Sequence, residues 1–210
     1  MIDSLNIQLA ATESNWRLFM TRNGDPGFKT FAERVFKRDR YTCQYCGFQA
    51  LQFQEIINRD GNYRHNRLEN LVTACVFCAQ CFFLEAVGKS DFGGGVLIYL
   101  PEVSQNELNA LCHVLFTVMA SGNTTDDVNA KNTYRSLRLR SQVVEQELGE
   151  GLSSPALYGH LLIDAQIDPT HKKLANRELS TKLRLLPDIA RFTVHLETWI
   201  LDALKQCRSF

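Results

Sequence analysis

Apolar side chains between residues 104 and 119 recur at helical spacing: Leu108, Leu111, Cys112, Leu115, Phe116 and Met119. That is one stripe of an amphipathic helix. Ser104-Gln105-Asn106-Glu107 ahead of it spells a capping box. A second helix is expected over 125–148, with Tyr134, Leu137, Val144 and Leu148 in phase and Gly149 as its stop. Ser154-Pro155 opens a third, which Asp168-Pro169 ends. A fourth is expected around 172–185, up to the break at Pro187. The last covers about 188–207, with Ile189, Phe192, Leu196, Trp199, Ile200, Ala203, Leu204 and Cys207 in phase.

The first half has a different rhythm. Ile7 and Leu9 alternate weakly, and Arg17-Leu18-Phe19-Met20 suggests a short strand. Asn23-Gly24-Asp25-Pro26-Gly27 is turn chemistry. A capping box at Thr30–Glu33 then predicts a short helix to about Asp39, with Phe31 and Val35 on one face. Val96-Leu97-Ile98-Tyr99-Leu100 predicts a strand ended by Pro101, and Gly93-Gly94-Gly95 before it suggests a flexible hinge. The fold class expected is α+β. Residues 1–100 form a module of strands and turns, and residues 101–210 a mostly helical part packed on it as one unit.

With 210 residues, 45% of them apolar, the chain has enough material for a core without disulfides. No apolar run nears the roughly 20 residues of a membrane-spanning helix. Met1-Ile2-Asp3-Ser4 does not begin a secretory signal, so a cytosolic location is expected. Lys and Arg number 23, as do Asp and Glu, and each half is close to balance. That weighs against a dominant nucleic-acid binder, which draws affinity from a basic face. Several local patterns carry little chemistry. Asp91-Phe92-Gly93 matches a kinase metal motif without its companions. His113 and His195 sit beside apolar stripes, where a structural histidine is the ordinary reading. Arg135, Arg138 and Arg140 read as a solvated helix face.

Seven cysteines change the picture. Cys43-Gln44-Tyr45-Cys46 and Cys75-Val76-Phe77-Cys78 are two C-x-x-C knuckles. Each places two sulfurs on one side of a tight turn, and two together complete a tetrahedron of thiolates around one structural zinc. Gly47 follows the first knuckle, where positive φ is wanted. Cys81 extends the second knuckle and is a possible competitor; His65 is a weaker one.

The stretches Val35–Gly47 and Arg67–Cys78 resemble the zinc-containing HNH endonuclease domain. In that family a strand between the knuckles carries an Asp that binds the catalytic ion and a His that acts as general base. Here the matching strand, Phe53-Gln54-Glu55-Ile56-Ile57, has Gln54 for the Asp and Glu55 for the His. Ala79 stands where a metal-binding Asn is usual; Asn70 alone matches, at the position of the Asn that orients the base. The resemblance therefore implies a nuclease-like fold without nuclease chemistry. A divergent nuclease and a zinc-ribbon DNA-binding regulator remain the competing readings.

Over the whole chain, Asp60–Arg64, Cys75–Glu85, Gly93–Glu102 and Leu111–Phe116 resemble a family of zinc-binding subunits of the Dot/Icm type IVB secretion system. That resemblance implies a non-catalytic adaptor in the coupling complex. It would dock on the C-terminal extension of the inner-membrane coupling ATPase, DotL, beside other subunits, and support export of effector proteins. It would then be cytoplasmic and reach the membrane only through the ATPase. Phe82, Phe83, Leu84, Trp199 and Ile200 are large apolar residues that could line a groove for such a partner, although core burial is the ordinary fate of each.

Overall fold

The structure is a computed structural model and describes residues 5–122, 124–168, 170, 171, 175 and 178–207. It is α+β, with helices around two small antiparallel sheets.

The chain enters as an extended strap, residues 5–11. Ile7 and Ala11 point inward and Asn6 and Gln8 outward, so the weak alternation is real. The strap runs over the cysteine region: the Leu5 amide donates to the Gln44 carbonyl, and the Ala10 amide to that of Cys81. Asn106 clamps it from the other side, accepting from the Ile7 amide at 3.1 Å and donating to the Leu5 carbonyl.

Helix α1, Asn15–Gly24, replaces the short strand expected at Arg17–Met20. Its inward residues, Trp16, Phe19 and Arg22, are three apart, a helical period that a four-residue window cannot reveal. The expected turn shrinks to Asp25, whose carboxylate caps α2, Pro26–Arg38, by accepting from the Gly27 amide at 2.7 Å. The Thr30 capping box does not form; Thr30 lies inside α2 and bonds back to the Pro26 carbonyl.

Strands β1, Gln54–Asn58, and β2, Leu71–Cys75, pair antiparallel, with Glu55 opposite Ala74 and Gln54 opposite Cys75. The short helix α3, Val76–Ala79, follows at once. Helix α2 covers this hairpin through Ala32, Val35, Ile56 and Leu71. Strand β3, Gly95–Tyr99, pairs with β4, Leu183–Pro187, which falls where a helix around 172–185 was expected. Leu183, Leu185 and Leu186 are buried by this pairing with a segment more than eighty residues away, which no local period announces. Residues 172–174 and 176–177 of that expected helix lie outside the described residues, as do Asn123 and Pro169.

The glycine triplet is not a hinge. A Cβ on Gly93 would lie 2.3 Å from Gln80 Oε1, one on Gly94 2.4 Å from Arg191 Cγ, and one on Gly95 2.4 Å from the Leu186 carbonyl oxygen. The glycines permit three close approaches.

Helix α4, Gln105–Ser121, carries the expected capping box and ends at Gly122 in the left-handed conformation. Leu108, Cys112 and Phe116 are fully buried; Leu111 is exposed. The single helix expected over 125–148 is two, α5, Thr124–Leu139, and α6, Ser141–Leu148. The break is at Arg140, whose carbonyl takes the Tyr99 amide of β3 and whose guanidinium pairs with Glu102 at 2.8 Å. Helix α7, Pro155–Asp164, starts at Ser154 as read, and α8, Thr193–Cys207, starts later than expected because a 3-10 turn occupies Ile189–Arg191. The Cys207 side chain lies outside the described residues.

One core runs from Ile7 to Trp199 and includes both sheets. Phe83, Leu84 and Trp199 belong to it, which removes them as exposed groove residues; Phe82 and Ile200 are half-buried.

Glu85, in the turn Leu84–Ala86 beneath α7, is buried. Burial pushes its pKa up to about 7; the backbone amides of Glu85 itself and Thr12 and the Lys89 charge offset this only in part. The folded state therefore holds a proton that the unfolded state has lost between pH 4.5 and 7. Stability falls as pH rises through that window. Glu85→Gln is expected to add about 1–2 kcal/mol at pH 8 and nothing near pH 4.5, allowing for solvent screening. Thermal melts of both proteins at the two pH values measure this; an equal Tm difference at both would show that Glu85 does not titrate in the window.

Candidate metal centre

The first knuckle is a tight hairpin. The Cys43 amide donates to the Phe48 carbonyl, the Gly47 amide returns to the Cys43 carbonyl, and Thr42 bridges Gln49. Gly47 has φ of +78°, as its place after the knuckle requires. The second knuckle sits where β2 runs into α3: Cys75 caps the helix and Cys78 lies one turn in. Pairing of β1 with β2 and the bond from the Gln44 amide to the Thr73 carbonyl, 2.9 Å, bring the two turns together.

The sulfurs of Cys43, Cys46, Cys75 and Cys78 all lie within 4.8 Å of one another, and Cys46 and Cys75 are 3.6 Å apart. All four are free thiols. A zinc–sulfur bond of about 2.3 Å makes the edge of a regular tetrahedron about 3.8 Å, so the donor set and its spacing fit one zinc. Soft thiolates select zinc over hard cations. Among the described residues this is the one grouping of three or more potential metal ligands. Cys81 stands outside it, its thiol donating to the Phe77 carbonyl at 3.4 Å. His65 is also elsewhere, 2.6 Å from Asp60.

Burial pushes the Cys75 and Cys78 thiols up, and the neighbouring thiols reinforce the shift at Cys78. A bound metal displaces such protons, since the ligand is the thiolate.

Two polar residues of α4, neither expected from the sequence to act there, reach this cluster. Asn109 Nδ2 donates to Cys78 Sγ at 3.2 Å, and His113 Nε2 lies 3.3 Å from Cys75 Sγ. Both side chains are buried. His113 is stacked between Phe48 and Phe77, with ring centroids 3.6 and 4.3 Å away. Burial pushes its pKa down to about 3, so the ring is neutral. The signal was present: Gln105, Asn109 and His113 repeat every four residues alongside the apolar stripe.

The nuclease-like positions show how the hairpin is used. Gln54 Nε2 donates to the carbonyls of Tyr41 and Ala50, at 3.2 and 3.3 Å, a task that an aspartate could not perform. Glu55 accepts from Asn23 Nδ2 at 3.0 Å, so α1 closes over it. Burial raises the Glu55 pKa to about 7, against the Asn23 bond and the Arg22 charge. That is basic enough for proton transfer at neutral pH. Among the described residues Glu55 belongs to no group of three or more potential metal ligands. Buried Arg22 lies beside it, bonded to Asn58, to Asn66 at 2.9 Å and to the Ile56 carbonyl at 2.6 Å. Asn70, the matching position, binds Asp60 Oδ1 and the His65 carbonyl and orders their loop, not Glu55.

No family model matches the chain. It is 49% identical over 200 residues to the type 4 apparatus protein DotN of Legionella pneumophila, covering 95% of this chain and 92% of that protein. Among the described residues no helix is long and apolar enough to cross a membrane.

Proposed function

Since the chain belongs to the DotN family of type 4 apparatus proteins, we propose that it is a zinc-stapled, non-catalytic adaptor of the Dot/Icm coupling complex. On this reading one zinc held by Cys43, Cys46, Cys75 and Cys78 stiffens an HNH-like hairpin and helix. The helical part, residues 101–210, packs on this module, residues 1–100. The assembled platform binds the C-terminal extension of the coupling ATPase DotL at the cytoplasmic face of the inner membrane and supports effector export.

The observation that carries the reading is a contrast within one end of the hairpin, where Gln54 lies opposite Cys75. Four sulfurs keep the geometry of a metal staple. Beside them, the positions of acid–base chemistry serve packing: Gln54 ties two carbonyls, Glu55 is covered by Asn23, and the Ala79 side chain is buried without a polar atom. A partner would find exposed apolar surface at Leu51, beside a groove walled by Phe48, Thr117, Ile200 and Ala203 and floored by buried Trp199.

Zinc-loaded protein is expected to retain the ATPase tail in a pull-down at micromolar concentration; no retention would sink the docking idea. The raised pKa of Glu55 gives the nuclease reading its own test. The protein is expected to leave supercoiled plasmid intact with Mg²⁺ or Mn²⁺. Nicking that disappears in Glu55→Ala would establish an enzyme instead.

A further inference from the structure

We propose that Asn109 and His113 form a second layer around the zinc thiolates, through which the helical half of the chain controls how fast the metal is lost. The inference rests on zinc at the four cysteines and is independent of the ATPase reading.

Four thiolates around Zn²⁺ leave two net negative charges in the core, since Cys43, Cys75 and Cys78 are almost wholly buried. Such charge needs hydrogen-bond donors aimed at sulfur. A metal-bound thiolate has no proton, so the hydrogen between Cys75 and His113 must lie on Nε2, making His113 a donor like Asn109. The two donors sit one turn apart on α4 and meet the two cysteines of one knuckle.

Neither donor is free to wander. Asn109 Oδ1 accepts from Gln105 Nε2 at 2.9 Å. Gln105 in turn clasps Leu185 of β4 like a neighbouring strand, donating to its carbonyl at 2.9 Å and accepting from its amide at 2.7 Å. A buried relay therefore runs from the β4 backbone through Gln105 and Asn109 to Cys78. On the other side Trp199 of α8 packs edge-on against His113, 5.3 Å between centroids. Releasing zinc requires a thiolate to turn away from its donor and take a proton, and the donor can leave only if α4 shifts against β4 and α8.

The test is zinc transfer to a chromogenic chelator, with the cobalt-substituted proteins read by their sulfur-to-cobalt charge-transfer band. His113→Phe keeps the stacked ring and loses the N–H; Asn109→Leu loses the other donor; Gln105→Met cuts the relay without touching a ligand. Loss of such supporting partners typically weakens metal binding about 10- to 100-fold. The first two variants are expected to release zinc faster by about that factor, with the cobalt band moved to lower energy. Gln105→Met should release it faster by a smaller factor. His113→Gln, which restores an N–H, should return release towards the parental rate. Parental release rates and an unmoved band in His113→Phe and Asn109→Leu would overturn the second layer. A parent protein that binds no cobalt through sulfur would overturn the zinc reading and this proposal with it.

Discussion

Cys78→Ser is expected to abolish cooperative folding at 37 °C rather than loosen one turn. Cys78 is fully buried in the core that also holds Phe77, Phe83, Phe116 and Trp199. A structural zinc contributes an apparent 10–16 kcal/mol at neutral pH, about as much as or more than the net 5–15 kcal/mol of a whole domain. A serine hydroxyl is a poor zinc ligand, and without metal the closely set Cys43, Cys46 and Cys75 sulfurs lose the ion that holds them together. The variant should lack near-ultraviolet dichroism, show no sharp thermal transition and carry no stoichiometric zinc; chelation of the parent should reproduce this. Cys112→Ala provides the contrast, because Cys112 is equally buried but outside the cluster. It should fold, bind zinc and lose about 1–2 kcal/mol for the missing sulfur. A Cys78→Ser protein melting cooperatively within about 5 °C of the parent, a shift worth only roughly 2 kcal/mol at this size, would show that the metal is not structural.

Gly159→Ala should be destabilising against the usual helix rule. Alanine inside a helix is ordinarily better than glycine by about 1 kcal/mol. In α7 a Cβ at position 159 would stand 2.3 Å from the Glu85 amide nitrogen and 2.8 Å from Glu85 Cα and the Leu84 carbonyl carbon. These are backbone atoms and cannot swing aside, so α7 must lift off the turn Leu84–Ala86. Overpacking of this kind costs about 1–3 kcal/mol or more, and a Tm lower by roughly 5–10 °C is expected. Gly24→Ala, where no heavy atom lies within 4 Å of the added carbon, should leave Tm unchanged or raised. A Gly159→Ala protein as stable as the parent would mean that α7 does not pack on this turn.

Features that depend on neighbours in sequence were legible. The C-x-x-C pairs, the Ser104–Glu107 box, the Ser154 start and the Gly149 stop are each complete within a few residues, and the structure has all of them. What failed was set by distant partners. The end of the helix expected around 172–185 is strand β4 instead, because β3 lies beside it. The helix over 125–148 breaks because the Arg140 carbonyl is taken by Tyr99. The glycine triplet reads as freedom, whereas Gln80, Arg191 and Leu186 press against it. Asn109 and His113 gain their meaning from cysteines more than thirty residues earlier. The Asp-His replacement can be read from the strand itself, but not that Asn23 closes over Glu55, because Arg17–Met20 alone reads as a short strand and hides α1.

The strap is made long before the side chain that clamps it. Its amide at Ile7 waits for Asn106, ninety-nine residues later. β3 waits almost as long for β4. A nascent chain can close both knuckles once residue 78 has emerged and clamp the strap once Asn106 has, but the second sheet and the clasp at Leu185 form only after Leu183–Pro187 is made. Chains that stop before Leu183–Pro187 therefore lack the clasp that seals the cysteine region and expose it to proteases.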